Sequence, residues 1–242
     1  MSQGHRSKGG VEAREAGAQD GRSSRGLRTR RRIVGHATLL MYEKGYSKTS
    51  VDEVIRAAGI TKGSFYFHFP SKEDLGYAVI ENAAAHITHR VRSAMEGEKT
   101  PRLRLTAALE EFQRIVAEAD CCRGCILGNL ALELSNQNEG FREKLSQAFR
   151  MMAEVIVEPL EEMKAGGELP EGLDPASFAD FAISALEGGI MLSKVTRDPA
   201  PMLNSVALLL EHFMAPAARE KRKTAEGRTR TTRREDHVGR GL

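Results

Sequence analysis

Residues 29–75 read TRRRIVGHATLLMYEKGYSKTSVDEVIRAAGITKGSFYFHFPSKEDL, and the punctuation of this stretch decides the fold. Ile33, Ala37, Leu40 and Met41 recur on one face of a helix over residues 29–44, and Gly45 follows as its stop. Ser50 with Glu53 three residues on forms a capping box. Val51, Val54, Ile55 and Ala58 then make the buried face of a short helix ending at Gly59. Thr61 is an N-cap for a third helix through about Phe67, Pro70 stops it, and Ser71 with Asp74 opens a fourth. The link Ala57-Ala58-Gly59-Ile60-Thr61 has the layout of a helix-turn-helix: Gly59 permits a left-handed residue in a tight turn, and the second helix is presented to a DNA major groove. An ordinary helical corner has the same spacing.

Outward from this stretch the helical pattern continues. Helices are expected at about 71–96, 101–119, 124–136, 139–165, 174–197 and 200–214, with Pro101 in a first turn and Asp174-Pro175 as an N-cap followed by proline. The 242 residues suffice for one large domain or two small ones, and no strand-like alternation or internal repeat persists. Aromatics are 5% and Trp is absent, a palette of Ala, Leu, Ile, Val and Met that favours an all-α chain and argues against a β-sandwich. No apolar run reaches the ~18 residues of a membrane span, and the first 26 residues lack a signal-peptide core, so no membrane association and a cytoplasmic location are expected.

The net charge of +3 conceals a division. Residues 28–77 carry nine Lys and Arg against five Asp and Glu, and residues 217–242 carry nine against four. Residues 78–216 carry thirteen against twenty-one, so a polyanionic partner should meet the ends of the chain and avoid its middle. Residues 1–26 and 217–242 contain almost no large apolar side chain and read as a disordered basic arm and a disordered basic tail.

Gly45-Tyr46, Thr49-Ser50, Asp52, Ala57-Ala58-Gly59-Ile60, Lys62-Gly63-Ser64-Phe65-Tyr66, His68-Phe69 and Ser71-Lys72-Glu73-Asp74-Leu75 together resemble the DNA-binding domain of the TetR repressor family. The resemblance runs without a gap from Thr29 to Leu75. It implies a helix-turn-helix domain over 27–75 and a helical effector-binding and dimerisation domain over 76–216. Helix 61–67 would be the recognition helix. Thr61, Lys62, Gly63 and Ser64 form its first turn, where Lys62 can pair with guanine acceptors and Gly63 can only approach. Thr49, Ser50 and Lys72 at helix starts, with Tyr66 and His68, would hold phosphates and so position rather than specify. His68 would serve equally as a C-terminal cap. Arg28 and Arg30, with their arginine neighbours, adjoin the head and suit counterion-releasing phosphate contacts. Phe65 and Phe69 are expected in the core of the head.

In that family the last two helices usually build a dimer, here 174–197 and 200–214. Leu203, Val206, Leu209, Leu210 and Phe213, after Leu186, Ile190, Met191 and Val195, offer more apolar surface than an isolated helix pair shields. Two-fold symmetry then calls for a near-palindromic double-stranded operator.

The three cysteines, Cys121, Cys122 and Cys125, fall within five residues. Cys122 and Cys125 with His86 and His89 would make a zinc site only if the two pairs met, and no βαβ pattern supports a thioredoxin-like motif, so no metal and no cofactor is expected. Cys125, read in the first turn of a helix and beside Arg123, has two influences favouring thiolate; a small buried hydrophobe is the plain alternative. Arg123 to Leu130, with Glu187-Gly188-Gly189 and Lys194-Val195, also resembles the branch of the family that responds to reactive aldehydes, acrylate-like compounds and oxidants. That resemblance makes Cys125 the sensing atom and Lys194 a neighbour that would lower its pKa further. Asn129 would donate to a ligand carbonyl or cap a neighbouring helix. Phe112, Phe149, Met152, Phe181 and Met191 are candidates for an apolar effector pocket, with core as the competing reading of each. Gly188-Gly189 should mark close helix packing or a bend.

The expectation is a homodimeric, sequence-specific DNA-binding regulator, a repressor released by a small-molecule effector or by modification of Cys125. No acid, base or nucleophile constellation beyond the cysteines points to an enzyme. A DNA-binding architectural protein without a sensor would share the same head.

Overall fold

The computed structural model describes residues 9–118 and 123–214, with side chains over 24–118 and 123–211. The described residues form nine α-helices and no strand. They are α1 (Gly9–Lys48), α2 (Val51–Ala58), α3 (Lys62–His68), α4 (Lys72–Met95), α5 (Pro101–Glu118), α6 (Ile126–Leu134), α7 (Glu139–Ala165), α8 (Pro175–Thr196) and α9 (Ala200–Met214). Local signals place the boundaries. Ser50 and Glu53 complete the capping box of α2, and Gly59 closes that helix in the left-handed region at φ 59°. Thr61 caps α3 by accepting from the Ser64 N–H, and Asp174 caps α8 with Pro175 in its first turn. The helix of α7 continues through Pro159.

One boundary differs from expectation. The backbone is helical from Gly9, where composition predicted a disordered arm over 1–26. The five glycines of residues 9–26 disfavour a helix, but the Ala, Glu, Arg and Gln among them cost it little, and extending an existing helix avoids the cost of nucleation. Residues 1–8 and the tail at 217–242 lie outside the described residues.

The chain divides into two compact units, residues 1–86 with 123–150, and residues 87–122 with 151–242. The expected boundary at residue 75 therefore does not coincide with the compact units: α6 and the first half of α7 group with the head. In the first unit Ile33, Ala37, Met41, Val54, Phe65 and Phe69 are buried to within 1% of full enclosure. Truncating either phenylalanine to alanine would cost about 3–5 kcal/mol. Phe141 sits between Tyr46, 4.9 Å away centroid to centroid, and Tyr77, 4.8 Å away. It lies directly over Gly76, where a Cβ would approach its ring to 2.6 Å.

In the second unit α8 and α9 pack closely. A Cβ on Gly189 would lie 3.0 Å from Met202 Cα and 2.7 Å from Ser205 Oγ, whereas Gly188 faces open space. The expected close packing thus belongs to Gly189. The Met202 N–H donates to the buried Ser193 Oγ over 3.1 Å, tying the start of α9 to α8. Glu111 is 5% exposed, and its charge is met by Arg90 and by Arg114.

Candidate nucleic-acid interface

The head is built on a break and two short helices. Gly45, at φ 83° and ψ 169°, interrupts α1 where the sequence placed its stop, in a region that only glycine adopts without strain. The Thr49 hydroxyl donates to the Gly45 carbonyl over 2.7 Å and the Thr49 N–H to the Tyr46 carbonyl over 3.0 Å, closing the link. Glu53 accepts from the Ser50 N–H and pairs with Lys44. The Lys44 hydrogen bond, with those of Ser50, holds the Glu53 carboxyl down at about 2.

α3 then presents two different faces. Phe65 and Phe69 are buried at 0% and 1% exposure, while Thr61, Lys62 and Gly63 are exposed and Ser64 is half-buried. Tyr66 is exposed, and His68 is half-buried beside the Phe67 ring. Arg28 and Arg30 are exposed, and the Arg30 guanidinium lies 5.0 Å over the Phe69 ring. Lys72 is half-buried, its Nζ 4.2 Å over the Tyr46 ring and donating to the Ser47 carbonyl over 3.3 Å. Burial lowers its pKa, against the pull of Glu133.

Two expected phosphate contacts are altered. Thr49 is 1% exposed with its hydroxyl spent on Gly45, so it is a strut of the link and does not offer a donor to DNA. The Ser50 hydroxyl is exposed but donates to Glu53 within the capping box. Sequence reasoning also missed two residues. Phe67 is 81% exposed on α3, an apolar ring beside the polar ones. Its type matched its buried neighbours, and only its angular position on the helix separates it.

The second is Glu133, near the end of α6, whose carboxylate accepts from the N–H groups of Tyr46 (2.9 Å) and Ser47 (2.7 Å). Burial opposes its ionisation, yet the hydrogen bonds from Ser47 and Tyr46 and the charge of Lys72 prevail and hold its pKa below the ordinary value. Burial, with Glu73 and Glu133, pushes the Tyr46 phenol up to about 12.

The effector candidates divide between the units. Cys125, Asn129 and Phe149 fall in the first, and Phe112, Met152, Phe181, Met191 and Lys194 in the second. Cys125 is half-buried and is the N-cap of α6, one residue outside the first turn where the sequence put it. The Asn129 amide donates to the Arg123 carbonyl over 3.1 Å, so it braces the loop before its own helix. Phe112 and Met152 are buried core, at 6% and 4% exposure, and Phe149 is half-buried. Phe181 and Met191, expected to line a pocket, are instead 58% and 52% exposed. Each is one residue from a position that faces inward, Ala182 and Ile190, and one residue turns a helical side chain by about 100°. Lys194 is exposed. Cys121 and Cys122 lie outside the described residues, among which no group of three His, Cys, Asp or Glu could hold a metal. No helix among them is long and apolar enough to cross a membrane.

A solvent-facing helix start mounted on a buried phenylalanine pair, behind a glycine-closed turn, is the layout of a helix-turn-helix. Residues 33–79 match the family model described as bacterial regulatory proteins, tetR family. Residues 101–209 match that of the tetracyclin repressor-like C-terminal domain. The chain is 31% identical to the transcriptional regulator AcuR of Cereibacter sphaeroides, over 71% of this chain and 79% of that one. It is 29% identical to the HTH-type transcriptional repressor DhaR of Mycobacterium sp. strain GP1, over 76% and 92%. The crystal structure of the regulatory protein TetR from Rhodobacter sphaeroides superposes with a TM-score of 0.68 at 29% identity, over 75% of this chain and 97% of that one. The chain belongs to the TetR family of DNA-binding transcriptional regulators.

Proposed function

We propose that this protein is a cytoplasmic, homodimeric repressor that reads a near-palindromic operator through the first turn of α3. It leaves that operator when a small-molecule effector binds or Cys125 is modified. The observation that carries the DNA-reading role is the exposure of Thr61, Lys62 and Gly63 above the buried Phe65. Short side chains there let the backbone approach base edges, and Lys62 reaches guanine N7 and O6. The exposed Arg28, Arg30 and Tyr66, with Lys72, suit phosphates. The DhaR relative carries the name of a repressor.

Dimerisation through α8 and α9 draws support from Phe181, Met191, Leu192 and Val195, which are 51–76% exposed along α8, with Leu208 exposed on α9. Release draws support from the position of Cys125 at the N-cap of α6, the end where a helix favours negative charge. The last turn of α6 carries Glu133, so a shift of this helix has a mechanical route into the α1–α2 link.

The test is an operator gel shift with and without N-ethylmaleimide, on the wild type and on Cys125→Ser. The thiolate adds across the maleimide double bond, forming a C–S bond, while the neighbouring carbon takes a proton from solvent. Release of the wild type alone supports the cysteine switch. Equal release of both proteins sinks it and leaves the repressor standing. Binding that no electrophile, oxidant or metabolite disturbs identifies an architectural DNA-binding protein.

A further inference from the structure

The contact between Glu133 and the α1–α2 link does more than join two helices. Tyr46 and Ser47 are the first residues after the Gly45 break, and both of their N–H groups are taken by the two oxygens of one carboxylate. The fit is close: a Cβ on Gly45 would come within 2.8 Å of Glu133 Oε2. Gln137 donates to the Glu133 carbonyl over 2.7 Å and steadies the end of α6. From the other element of the head, Lys72 donates to the Ser47 carbonyl and lies over the Tyr46 ring. The same short link therefore receives an anion on its amides and a cation on its carbonyl. It leads through Thr49 and Ser50 directly into α2, whose C-terminal turn delivers α3.

We propose that Glu133 is a positioning residue for operator binding: its carboxylate, on the Tyr46 and Ser47 amides, sets the geometry with which α2 and α3 leave α1. The proposal rests on α3 being the DNA-reading helix. A misaimed α3 loses base contacts more than it loses charge, so the loss falls on cognate DNA rather than on all DNA.

The test uses the full-length protein and a duplex enriched from random-sequence DNA by the wild type, compared with unselected duplex of equal length. Glu133→Gln keeps the shape and replaces one acceptor oxygen with an amide that repels a backbone N–H. Its expected effect is about a tenfold loss of affinity for the enriched duplex, the scale of one charge-assisted hydrogen bond. Affinity for unselected duplex should change less than about threefold, while the thermal midpoint falls by roughly 3–6 °C, the scale of one lost hydrogen bond. The Tyr46 and Ser47 amide protons should exchange faster in the variant. Glu133→Asp, which retains the charge but not the reach, should show the same selective loss and serves if the glutamine variant does not fold. Unchanged affinity for the enriched duplex, or equal losses on both duplexes, overturns the proposal. A wild type that enriches no sequence overturns instead the reading of α3 on which it stands.

Discussion

The hydroxyl of Thr49 and the carbonyl of Gly45 are joined by a 2.7 Å hydrogen bond across the break in α1, in a site where Thr49 is 1% exposed. A hydroxyl so enclosed contributes to stability and is not free to donate to a phosphate. Thr49→Val, nearly the same in shape, strands the Gly45 carbonyl and should cost about 1–2 kcal/mol, lowering the thermal midpoint by roughly 2–8 °C. Affinity for cognate and unselected duplexes should stay as in the wild type. A uniform loss on both, with the fold intact at the assay temperature, would restore Thr49 to the phosphate contacts.

Lys72, Tyr66 and Lys62 separate positioning from reading. Lys72→Ala and Tyr66→Phe should weaken binding to cognate and unselected duplexes alike, with Lys72→Ala also reducing the salt slope by about 0.9. Lys62→Ala should in addition relax base preference, at about 1–3 kcal/mol of discrimination. Binding curves on both duplexes over a salt series measure this, and three indistinguishable variants would contradict the assignment.

What the sequence disclosed and what it withheld follow from the range of the interactions. The capping box of α2, the left-handed Gly59 and the Thr61 cap are each written within four residues, so the helix-turn-helix was readable in one pass. Glu133 meets a partner 86 residues earlier, and no local spacing announces a carboxylate that will accept from two remote amides. Phe65 and Phe69, four residues apart, are readable as core, but nothing in that spacing announces the exposed Phe67 between them. Phe181 and Met191 lie on a helix that is apolar on more than one face, so their residue type does not tell an outward position from an inward one. The start of α1 was missed for the opposite reason, because low apolar content argued for disorder where helix-forming residues extend an existing helix.

Acid should loosen the head through Glu53. Its carboxyl lies at about 2 in the folded chain, against an ordinary value of 4.5. A group whose pKa is depressed by folding stabilises the fold fully above its unfolded value, and that contribution is lost as pH falls from about 4.5 toward 2. Glu53→Gln can still form a capping box but gives up the charge that meets Lys44. The gap in thermal midpoint between wild type and variant should be present at pH 7, narrow below about pH 4.5, and close near pH 2. A gap independent of pH would show that the ion pair contributes nothing to stability.

Gly189 sets how near α9 can come to α8. An alanine there would place a methyl 3.0 Å from Met202 Cα and 3.2 Å from the Pro201 carbonyl, both backbone atoms that cannot rotate aside. Gly189→Ala should therefore destabilise the chain by about 1–3 kcal/mol despite the better helix propensity of alanine. Gly188→Ala, facing open space, should be neutral or stabilising by up to about 1 kcal/mol. Denaturant midpoints of the two variants decide the matter, and equal effects would deny the close approach.

The dimer is tested most directly on α8, because its exposed residues can be charged without disturbing the buried side that packs on α9. Met191 and Val195 are 52% and 76% exposed, four residues apart and so on one face, while Leu186 and Ile190 are 3% and 6% exposed. Glutamates at both positions should leave the helical content of the chain unchanged, since neither side chain fills the core. Like charges facing each other across a two-fold axis should shift the sedimenting species from dimer to monomer. Operator affinity should fall by about 100-fold or more, since a dimer binds its second half-site at high effective concentration and a lone head does not. If Met191→Glu/Val195→Glu sediments as a dimer and keeps its operator, the subunits join elsewhere and the apolar residues of α8 need another partner.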